Sequence, residues 1–364
     1  MRCVALGQCN APFANIGQAE RRVLPVKKTI KIKFVGKEKG FEPDWCIIWN
    51  AMVKHYDVQI VEDDPDYIIC DIFGAPPYGY CHYPQIRILE NGENFIPDFN
   101  VVDYAVSRYP VQLQDRNFYL PGCAARPERF LSLAEKDRNY TSDTLAQKEF
   151  FASFIASHES ENNVRGDFFK KLSKYKRVES PGTYLYNMTD GTSVRWDNDS
   201  KINFQRRCKF SLCFESTAHY GFITEKLVDA FCADTIPVYF GDPNVGEIFN
   251  RDAFINVADY PTMEDAIARI IELDNDDEQY LQMLRQPILV DPSYPQRLYK
   301  DLETFVCHIF DQPVENAYRR CRVFAPKHHE NFLVWADKRY KFSVKGMRYA
   351  LSVLKLKLSQ LINR

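Results

Sequence analysis

Apolar and polar positions along this chain fall into two kinds of block, short strand-like runs and longer amphipathic segments. Strand-like runs at 29–35, 57–62, 67–73 and 85–89 flank an amphipathic segment at 45–56 that predicts a helix. Alternation of strands with helices is typical of a parallel sheet covered on its faces by helices. The first part of the chain is therefore predicted to be an α/β domain.

A second alternation begins after a stretch at 118–143 where the pattern weakens. Its predicted strands lie at 151–156, 210–215, 236–240 and 254–257. Its predicted helices lie at 165–175, 224–233 and 263–273, with a further pair at 296–310 and 314–320. We therefore expect two Rossmann-like α/β domains that face each other across a cleft. The expected division is an arm, a first domain, a second domain and C-terminal helices, at 1–28, 29–145, 146–312 and 313–364.

Composition excludes several classes of protein. Hydrophobic residues make up 45% and charged residues 26% of the 364 residues, which is typical of a globular protein and not of a disordered one. Eleven cysteines without C-x-x-C pairs indicate buried free thiols in a reducing compartment. The first 28 residues lack the apolar centre of a signal peptide, and no run of about 18 apolar residues occurs. We therefore expect a cytoplasmic protein.

The net charge of −2 conceals a basic C-terminal segment, which has no acidic residue from position 338 onward. Within 342–362, apolar residues recur every three or four positions and predict one apolar helical face opposite a Lys- and Arg-rich face. This amphipathic helix is expected to attach peripherally to an anionic membrane surface on the cytoplasmic side. The alternative is docking on the acidic body of the protein. No nucleic acid partner is expected, because a nucleic-acid-binding protein carries its positive charge across a binding face.

The segment with the strongest chemical signal is 210–243, which reads FSLCFESTAHYGFITEKLVDAFCADTIPVYFGDP. An apolar strand ends at Glu215, a small polar loop follows, and Thr224 stands where the N-cap of the next helix would lie. Lys226 falls in the first turn, where a basic residue is unfavourable unless an anion lies nearby. Because helix N-termini attract anions, Thr224 and Lys226 are candidates to hold a diphosphate beside Glu225. The alternative is an ordinary strand–loop–helix unit.

The same segment resembles the signature of the α-1,3-fucosyltransferases, in which Phe-Glu-Asn-Ser precedes a variable loop, Tyr-(Ile/Val)-Thr-Glu-Lys, a helix and (Ile/Val)-Pro-Val-(Tyr/Trp)-x-Gly. Likeness extends over most of 29–310, including RILENGENFIPDFNVVDY at 87–104. The resemblance is to the bacterial members and implies a GT-B fold with GDP-fucose as the donor. The chain departs from the pattern at Ser216, where the family has Asn, and at Phe222, where it has Tyr.

The resemblance also implies a role for each matching residue. Glu93 would be the general base that takes the proton from the acceptor hydroxyl, with Glu90 as the competing candidate. Arg195 and Lys226 would neutralise the donor diphosphate. Glu225 would contact the fucose and stabilise the positive charge that develops on its ring. The remaining residues expected at the donor site are Glu215, Ser216, Phe222 and Thr224.

The implied reaction is inverting transfer of L-fucose from GDP-β-L-fucose to a hydroxyl of N-acetylglucosamine or glucose in an N-acetyllactosamine-type glycan, giving an α-1,3-fucoside of Lewis x type. A single displacement needs one base and no covalent nucleophile. The alternatives are a transferase for another nucleotide sugar and a membrane-attached carbohydrate-binding module. No cofactor is expected to be required and no metal site is assigned. Asp197-Asn198-Asp199 is a candidate for a stimulatory Mn²⁺ or Mg²⁺ ion, or else a solvated turn.

Overall fold

A computed structural model describes residues 27–73, 78–194 and 198–340, together with the single positions 347 and 351. Its strands form two separate sheets. The first sheet contains β1 (Thr29–Val35), β2 (Asp57–Ile60), β3 (Tyr67–Cys70), β4 (Ile86–Glu90), β5 (Tyr104–Ser107) and β6 (Asn117–Tyr119). Its spatial order is β2-β1-β3-β4-β5-β6, and every neighbouring pair is parallel. All six carboxyl ends therefore lie at one edge of this sheet, where open α/β sheets bind ligands.

The second sheet has the same parallel character. It contains β7 (Phe150–Phe154), β8 (Val178–Glu179), β9 (Cys208–Phe214), β10 (Ile236–Phe240) and β11 (Ile255–Asn256). Its order is β11-β10-β9-β7-β8. The central strand β9 is buried along most of its length, which explains its almost continuous apolar sequence.

Helices cover the sheets and connect the two units. In chain order they are α1 (Ile47–His55), α2 (Pro127–Ser132), α3 (Ser142–Ala146), α4 (Val164–Leu172), α5 (Asn198–Arg206), α6 (Lys226–Cys232), α7 (Met263–Asn275), α8 (Asp277–Leu284), α9 (Tyr294–Asp311) and α10 (Phe324–Tyr340). Most of the predicted helices and strands lie within a few residues of their predicted bounds. The bounds of β1 and β10 are the same as predicted. The elements that were not predicted are the strands β5, β6 and β8 and the helices α2, α3, α5, α8 and α10.

The helix predicted at 314–320 is wrong. Only a short 3₁₀ turn forms there, at Val314–Asn316. The backbone N–H groups of Arg319 and Arg320 instead donate to Asp103 Oδ1, at 2.9 and 3.0 Å. The buried Arg320 guanidinium also binds the Asp103 carboxylate. These bonds hold the segment in a non-helical path beside Asp103, at the start of β5. Local sequence periodicity cannot reveal such long-range hydrogen bonds.

The helix α9 returns from the second unit to the first and packs against its core. Its apolar face is buried and includes Val306 and Phe310, both 0% exposed. The Phe310 ring meets the Tyr67 ring edge-on at a centroid distance of 4.7 Å. Each fully buried large apolar side chain contributes roughly 1.5–3 kcal/mol relative to exposure. This packing therefore joins the chain that follows the second sheet to the core of the first unit.

The predicted amphipathic tail at 342–362 lies outside the described residues, apart from Met347 and Leu351. Both of these positions are helical and exposed. Within the described part of the chain, no helix is both long enough and apolar enough to cross a membrane. The preceding helix α10 packs on the first unit, where Glu330 forms an ion pair with the buried Arg87 at 2.5 Å.

Candidate active site

The loop between β9 and α6 carries an enclosed ion pair. Glu215 follows β9 directly, and its side chain is 0% exposed. Its carboxylate accepts hydrogen bonds from the Thr224 backbone N–H at 2.8 Å and from the Thr224 hydroxyl at 2.7 Å. Lys226 Nζ lies 2.9 Å from Glu215 Oε2 and 2.7 Å from Thr224 Oγ1. Glu215 therefore orients the two residues that the sequence assigns to the diphosphate.

The prediction that Thr224 caps the helix is wrong. The helix α6 begins at Lys226, and Glu225 precedes it in helical backbone conformation without a side-chain cap. The Thr224 hydroxyl is bound by the Glu215 carboxylate instead. Lys226 has the nearby anion that its position in the first turn requires, and that anion is Glu215 from the preceding strand end.

The Lys226 side chain keeps some access to solvent, since it is 22% exposed. Burial alone would lower the pKa of Lys226, but the carboxylates of Glu215 and Glu225 outweigh burial and raise this pKa above its ordinary value. An ammonium carries three N–H groups. Glu215 and Thr224 accept two of them, so the third can donate to a bound phosphate without breaking either bond.

Glu225 belongs to a second charged network. Its Oε1 lies 3.4 Å from Lys201 Nζ and 4.0 Å from Lys226 Nζ. Asp229, one helical turn later and fully buried, binds Lys201 at 2.8 Å and Arg129 at 2.7 Å. Burial alone would raise the pKa of Glu225, but the charges of Lys226 and Lys201 hold it well below its usual range. Glu225 is therefore ionised at neutral pH, and its side chain is 38% exposed.

Arg165, in the first turn of α4, supplies another cation close to this ion pair. Arg165 is 3% exposed. Its positive charge lowers the pKa of Lys226, and the Glu215 carboxylate favours the charged form of Arg165. Among the described residues, the Arg165 Nε has no hydrogen-bond partner. Glu159 Oε1 lies 3.8 Å away, at ion-pair distance only. A guanidinium donor in this position is suited to an oxyanion ligand.

Glu93 is exposed on a loop at the carboxyl edge of the first sheet, just after β4. The buried Asn91 holds the Glu93 backbone from both sides. Asn91 Oδ1 accepts from the Glu93 N–H at 2.9 Å, and Asn91 Nδ2 donates to the Glu93 carbonyl at 3.2 Å. The carboxylate is thus held on a fixed backbone and remains accessible to a substrate.

The loop that carries Glu93 contacts the loop that follows Glu215. Asn94 Nδ2 donates to Thr217 Oγ1 at 2.7 Å, across the junction of the two units. On the first-unit side, the Tyr109 hydroxyl donates to Asn94 Oδ1. The loops of the predicted base and of the predicted diphosphate clamp therefore meet directly.

Two more hydrogen bonds hold the segment 221–223 against the first unit. The Tyr119 hydroxyl donates to the Gly221 carbonyl at 2.9 Å, and the Cys123 N–H donates to the Ile223 carbonyl at 2.8 Å. Gly221 has a φ of +81°, and an added Cβ would lie 2.6 Å from Pro110 Cδ. Glycine is therefore required at this close approach.

Glu90, the competing base candidate, occupies an enclosed position at the start of α1. Its carboxylate accepts from Cys46 Sγ at 2.6 Å and from the Ile47 N–H at 3.0 Å. Lys37 Nζ lies 3.9 Å away, and the Glu90 side chain is 13% exposed. Because both of its oxygens are engaged in the fold, the structure favours Glu93 over Glu90.

The remaining predicted donor-site residues lie in different environments. Ser216 is half-buried, and its carbonyl accepts from the Glu161 N–H at 2.9 Å. Phe222 is 4% exposed, so its ring is part of the interior. Arg195 lies outside the described residues, and its predicted role stays a prediction.

The structure describes only part of Asp197-Asn198-Asp199, the segment considered as a metal site. Asp197 lies outside the described residues, whereas Asp199 lies in the first turn of α5 with its Oδ1 3.4 Å from an Arg129 guanidinium nitrogen. Across the described ranges, no group of three or more His, Cys, Asp or Glu side chains is arranged to hold a metal ion.

Two family models match successive parts of the chain. Residues 32–124 match the alpha-(1,3)-fucosyltransferase FucT N-terminal domain. Residues 145–311 match the C-terminal part of glycosyltransferase family 10 (fucosyltransferase). The chain belongs to the family 10 fucosyltransferases. The Glu93 loop lies in the first match and the Lys226 cluster in the second, so both halves of the candidate site are family 10 sequence.

Named relatives of this family 10 chain come from bacteria and animals. It is 32% identical to the alpha-(1,3)-fucosyltransferase FucT of Helicobacter pylori over 310 residues, which are 74% of this chain and 62% of that relative. It is 29% identical to human 4-galactosyl-N-acetylglucosaminide 3-alpha-L-fucosyltransferase 9 over 139 residues, 38% of this chain and 37% of that one. The chain therefore spans less than two thirds of the length of either relative.

Solved structures confirm the predicted fold of this family 10 chain. A crystal structure of an alpha1,3-fucosyltransferase matches it with a TM-score of 0.67 at 22% identity, covering 82% of this chain and 93% of that one. A crystal structure of alpha1,3-fucosyltransferase with GDP-fucose matches with a TM-score of 0.61, covering 78% and 93%. The architecture is therefore the GT-B arrangement of two α/β domains.

Four charged residues around Glu225 and Lys226 were not identified from the sequence: Arg129, Arg165, Lys201 and Asp229. Asp229 lies four positions after Glu225, on the same helical face, and that spacing could have indicated it. Lys201 and Arg129 come from distant segments without a local signal. Arg165 likewise has no local signal that relates it to Lys226.

Proposed function

We propose that this protein transfers L-fucose from GDP-fucose to a hydroxyl of an N-acetyllactosamine-type glycan, with inversion to an α-1,3-fucoside of Lewis x type. The observation that carries the proposal is the meeting of two loops. One holds the exposed carboxylate of Glu93, and the other leads into the Lys226 cluster. Membership of family 10 and the GT-B fold support it.

The cations of the second domain would stabilise the leaving GDP. Glycosyl transfer develops negative charge on the leaving phosphate, and preorganised cations in a partly enclosed site stabilise that charge. Lys226 has an N–H that neither Glu215 nor Thr224 accepts, and Arg165 has an Nε without a described partner. We assign both to the diphosphate, together with Arg195.

The two carboxylates have different tasks. The transition state resembles an oxocarbenium ion, so a fixed negative charge beside the ring stabilises it. Glu225 suits this task because Lys226 and Lys201 hold its pKa well below the usual range. Glu93 suits proton abstraction from the acceptor because it is exposed and its backbone is clamped by Asn91.

We propose that transfer requires no metal ion, because the basic side chains of the described site would neutralise the donor diphosphate. We also propose a cytoplasmic enzyme held peripherally at the inner face of the membrane by its basic C-terminal segment. The helix α10 supports this, since Phe332 and Trp335 are 58% and 50% exposed and stack on each other at a centroid distance of 5.7 Å. Exposed aromatic residues beside basic ones are typical of membrane-interface segments.

The test is a donor–acceptor panel with mass-spectrometric detection of products. GDP-fucose with N-acetyllactosamine is expected to give a product heavier by one deoxyhexose, whereas GDP-mannose and UDP-sugars give none. Transfer from another donor would identify a different nucleotide-sugar transferase. Acceptor binding without turnover of any donor would indicate a carbohydrate-binding module. A parallel reaction with a chelator is expected to proceed at the same rate if no metal is required.

A further inference from the structure

The loop that carries Glu93 is fixed on its own domain by an amide network. We call residues 91–95 the base loop. Asn91 is 1% exposed and binds the Glu93 backbone at both its N–H and its carbonyl. Asn91 Nδ2 also lies 3.4 Å from the Phe95 carbonyl, and the Phe95 N–H donates to the Glu93 carbonyl at 2.8 Å. The base loop is therefore a closed turn that moves with the first domain.

The loop opposite it belongs to the donor domain. We call residues 216–221 the donor loop. It begins directly after Glu215, whose carboxylate positions Lys226, and it ends at Gly221, which is held by Tyr119 and by Asp242. The donor loop is therefore fixed in place relative to Glu215 and Lys226.

Asn94 joins these two loops with both ends of its amide. Its Oδ1 accepts from the Tyr109 hydroxyl within the first domain, and its Nδ2 donates to Thr217 Oγ1 of the donor loop at 2.7 Å. Because the amide oxygen accepts and the amide nitrogen donates, the side chain links Tyr109, just after β5, through the base loop to the donor loop. Asn94 is the residue immediately after Glu93.

We propose that Asn94 and Thr217 are positioning residues that set the Glu93 carboxylate at its working distance from the donor when the domains close. This inference rests on the proposed role of Glu93. Proton transfer depends steeply on geometry, and a misplacement of about 1 Å can cost about 100-fold in rate. The bond crosses the junction of the two units and involves neither Lys226 nor Glu225, so its loss should lower kcat and leave donor affinity unchanged.

The experiment is a double-mutant cycle on the full chain with Asn94→Ala and Thr217→Val. Each single substitution is expected to lower kcat of fucosyl transfer about three- to tenfold, the range of one lost hydrogen bond. The double variant should be no slower than the slower single variant, because both substitutions remove the same bond. The dissociation constant of GDP and the melting temperature should stay near wild-type values.

Thr217→Ser and Tyr56→Phe are the matched controls. Thr217→Ser keeps the hydroxyl and is expected to restore kcat. Tyr56→Phe removes a hydrogen bond of similar length, 2.8 Å to Asp311 Oδ1, at the amino edge of the first sheet, opposite the edge that carries the base loop, and should keep wild-type kcat. If Asn94→Ala does not fold, the comparison of Thr217→Val with Thr217→Ser carries the test.

Glu93→Gln in the same assay separates failure of this inference from failure of the proposed function. An inactive Glu93→Gln variant with wild-type kcat in the cycle variants would overturn the positioning role alone. Multiplicative losses in the double variant, or a raised GDP dissociation constant with unchanged kcat, would also overturn it. Wild-type transfer by Glu93→Gln would remove the base assignment and this inference together.

Discussion

Lys226 Nζ lies 2.9 Å from the fully buried carboxylate of Glu215, at the point where the central strand of the second sheet gives way to helix α6. This ion pair has two roles. The two opposite charges neutralise each other inside the fold and so stabilise it. The Lys226 N–H that neither Glu215 nor Thr224 accepts is the one we assign to catalysis.

Removing the ammonium alone should therefore damage both properties. Lys226→Met leaves the Glu215 carboxylate buried without its cation, and we expect a loss of about 3 kcal/mol in the free energy of unfolding. Glu215→Gln combined with Lys226→Met should recover most of that loss, because no charge is left uncompensated. Transfer should stay at least about 100-fold below wild type in both variants. Chemical denaturation and initial rates measure the two effects, and recovery of activity with stability would show that Lys226 is structural only.

Much of this arrangement could be predicted from the sequence. The β9–loop–α6 unit follows from local pattern, and family likeness makes Glu93 and Lys226 candidates for the site. The partners of Lys226 and Glu225 could not be predicted, because Lys201, Arg129 and Arg165 approach from segments remote in sequence. Local signals also favoured Thr224 as a cap, since nothing in the sequence shows that the Glu215 carboxylate turns toward it.

The prediction of two short segments failed for a similar reason. The segment 314–320 has helical periodicity, but Asp103 of the first sheet binds the backbone at Arg319 and Arg320 and prevents a helix. The strand β6 has only three residues, Asn117–Tyr119, and gains its stability from pairing with β5. Tertiary contacts decide such short elements, and intrinsic propensity does not.

Lys201 should control the acid limb of the pH–rate profile. Lys201 and Lys226 hold the pKa of Glu225 below its usual range. Lys201→Met weakens that effect, so the pKa of Glu225 rises and the acid limb of kcat should move to higher pH. The sign follows because only ionised Glu225 stabilises the sugar cation. Lys209→Met is the control, since it breaks a comparable buried pair with Asp274 at 3.0 Å elsewhere in the domain. An unshifted acid limb in Lys201→Met would contradict this assignment.

Asp71 should make stability depend on pH between about 4 and 6. Burial raises the pKa of this carboxyl to about 6, although Lys37 opposes the rise. In an unfolded chain the pKa is about 3.9. The folded protein therefore binds this proton more tightly, and the resulting stability is complete below about pH 4 and lost as pH rises through 6. The excess stability of wild type over Asp71→Asn should fall by about 2–3 kcal/mol across this window. A pH-independent difference between their unfolding free energies would contradict it.

Truncation should separate the docked helix from the basic tail. Glu330 neutralises the buried Arg87, and the fully buried Asp337 binds His82 at 2.7 Å, so α10 belongs to the fold. Removal of residues 341–364 should spare the melting temperature and the activity but abolish sedimentation with anionic phospholipid vesicles. Removal of 324–364 should lower the melting temperature by several degrees. Unchanged vesicle binding after the shorter truncation would show that the tail is not the membrane contact.

The most direct test of the account is the rate of fucosyl transfer from GDP-fucose to N-acetyllactosamine by Glu93→Gln, measured beside the affinity for GDP. We expect kcat to fall about 10²–10⁴-fold, the usual contribution of a general base, while the dissociation constant of GDP stays at its wild-type value. Transfer at the wild-type rate would contradict the central claim that Glu93 of the first domain activates the acceptor against a donor held by the second.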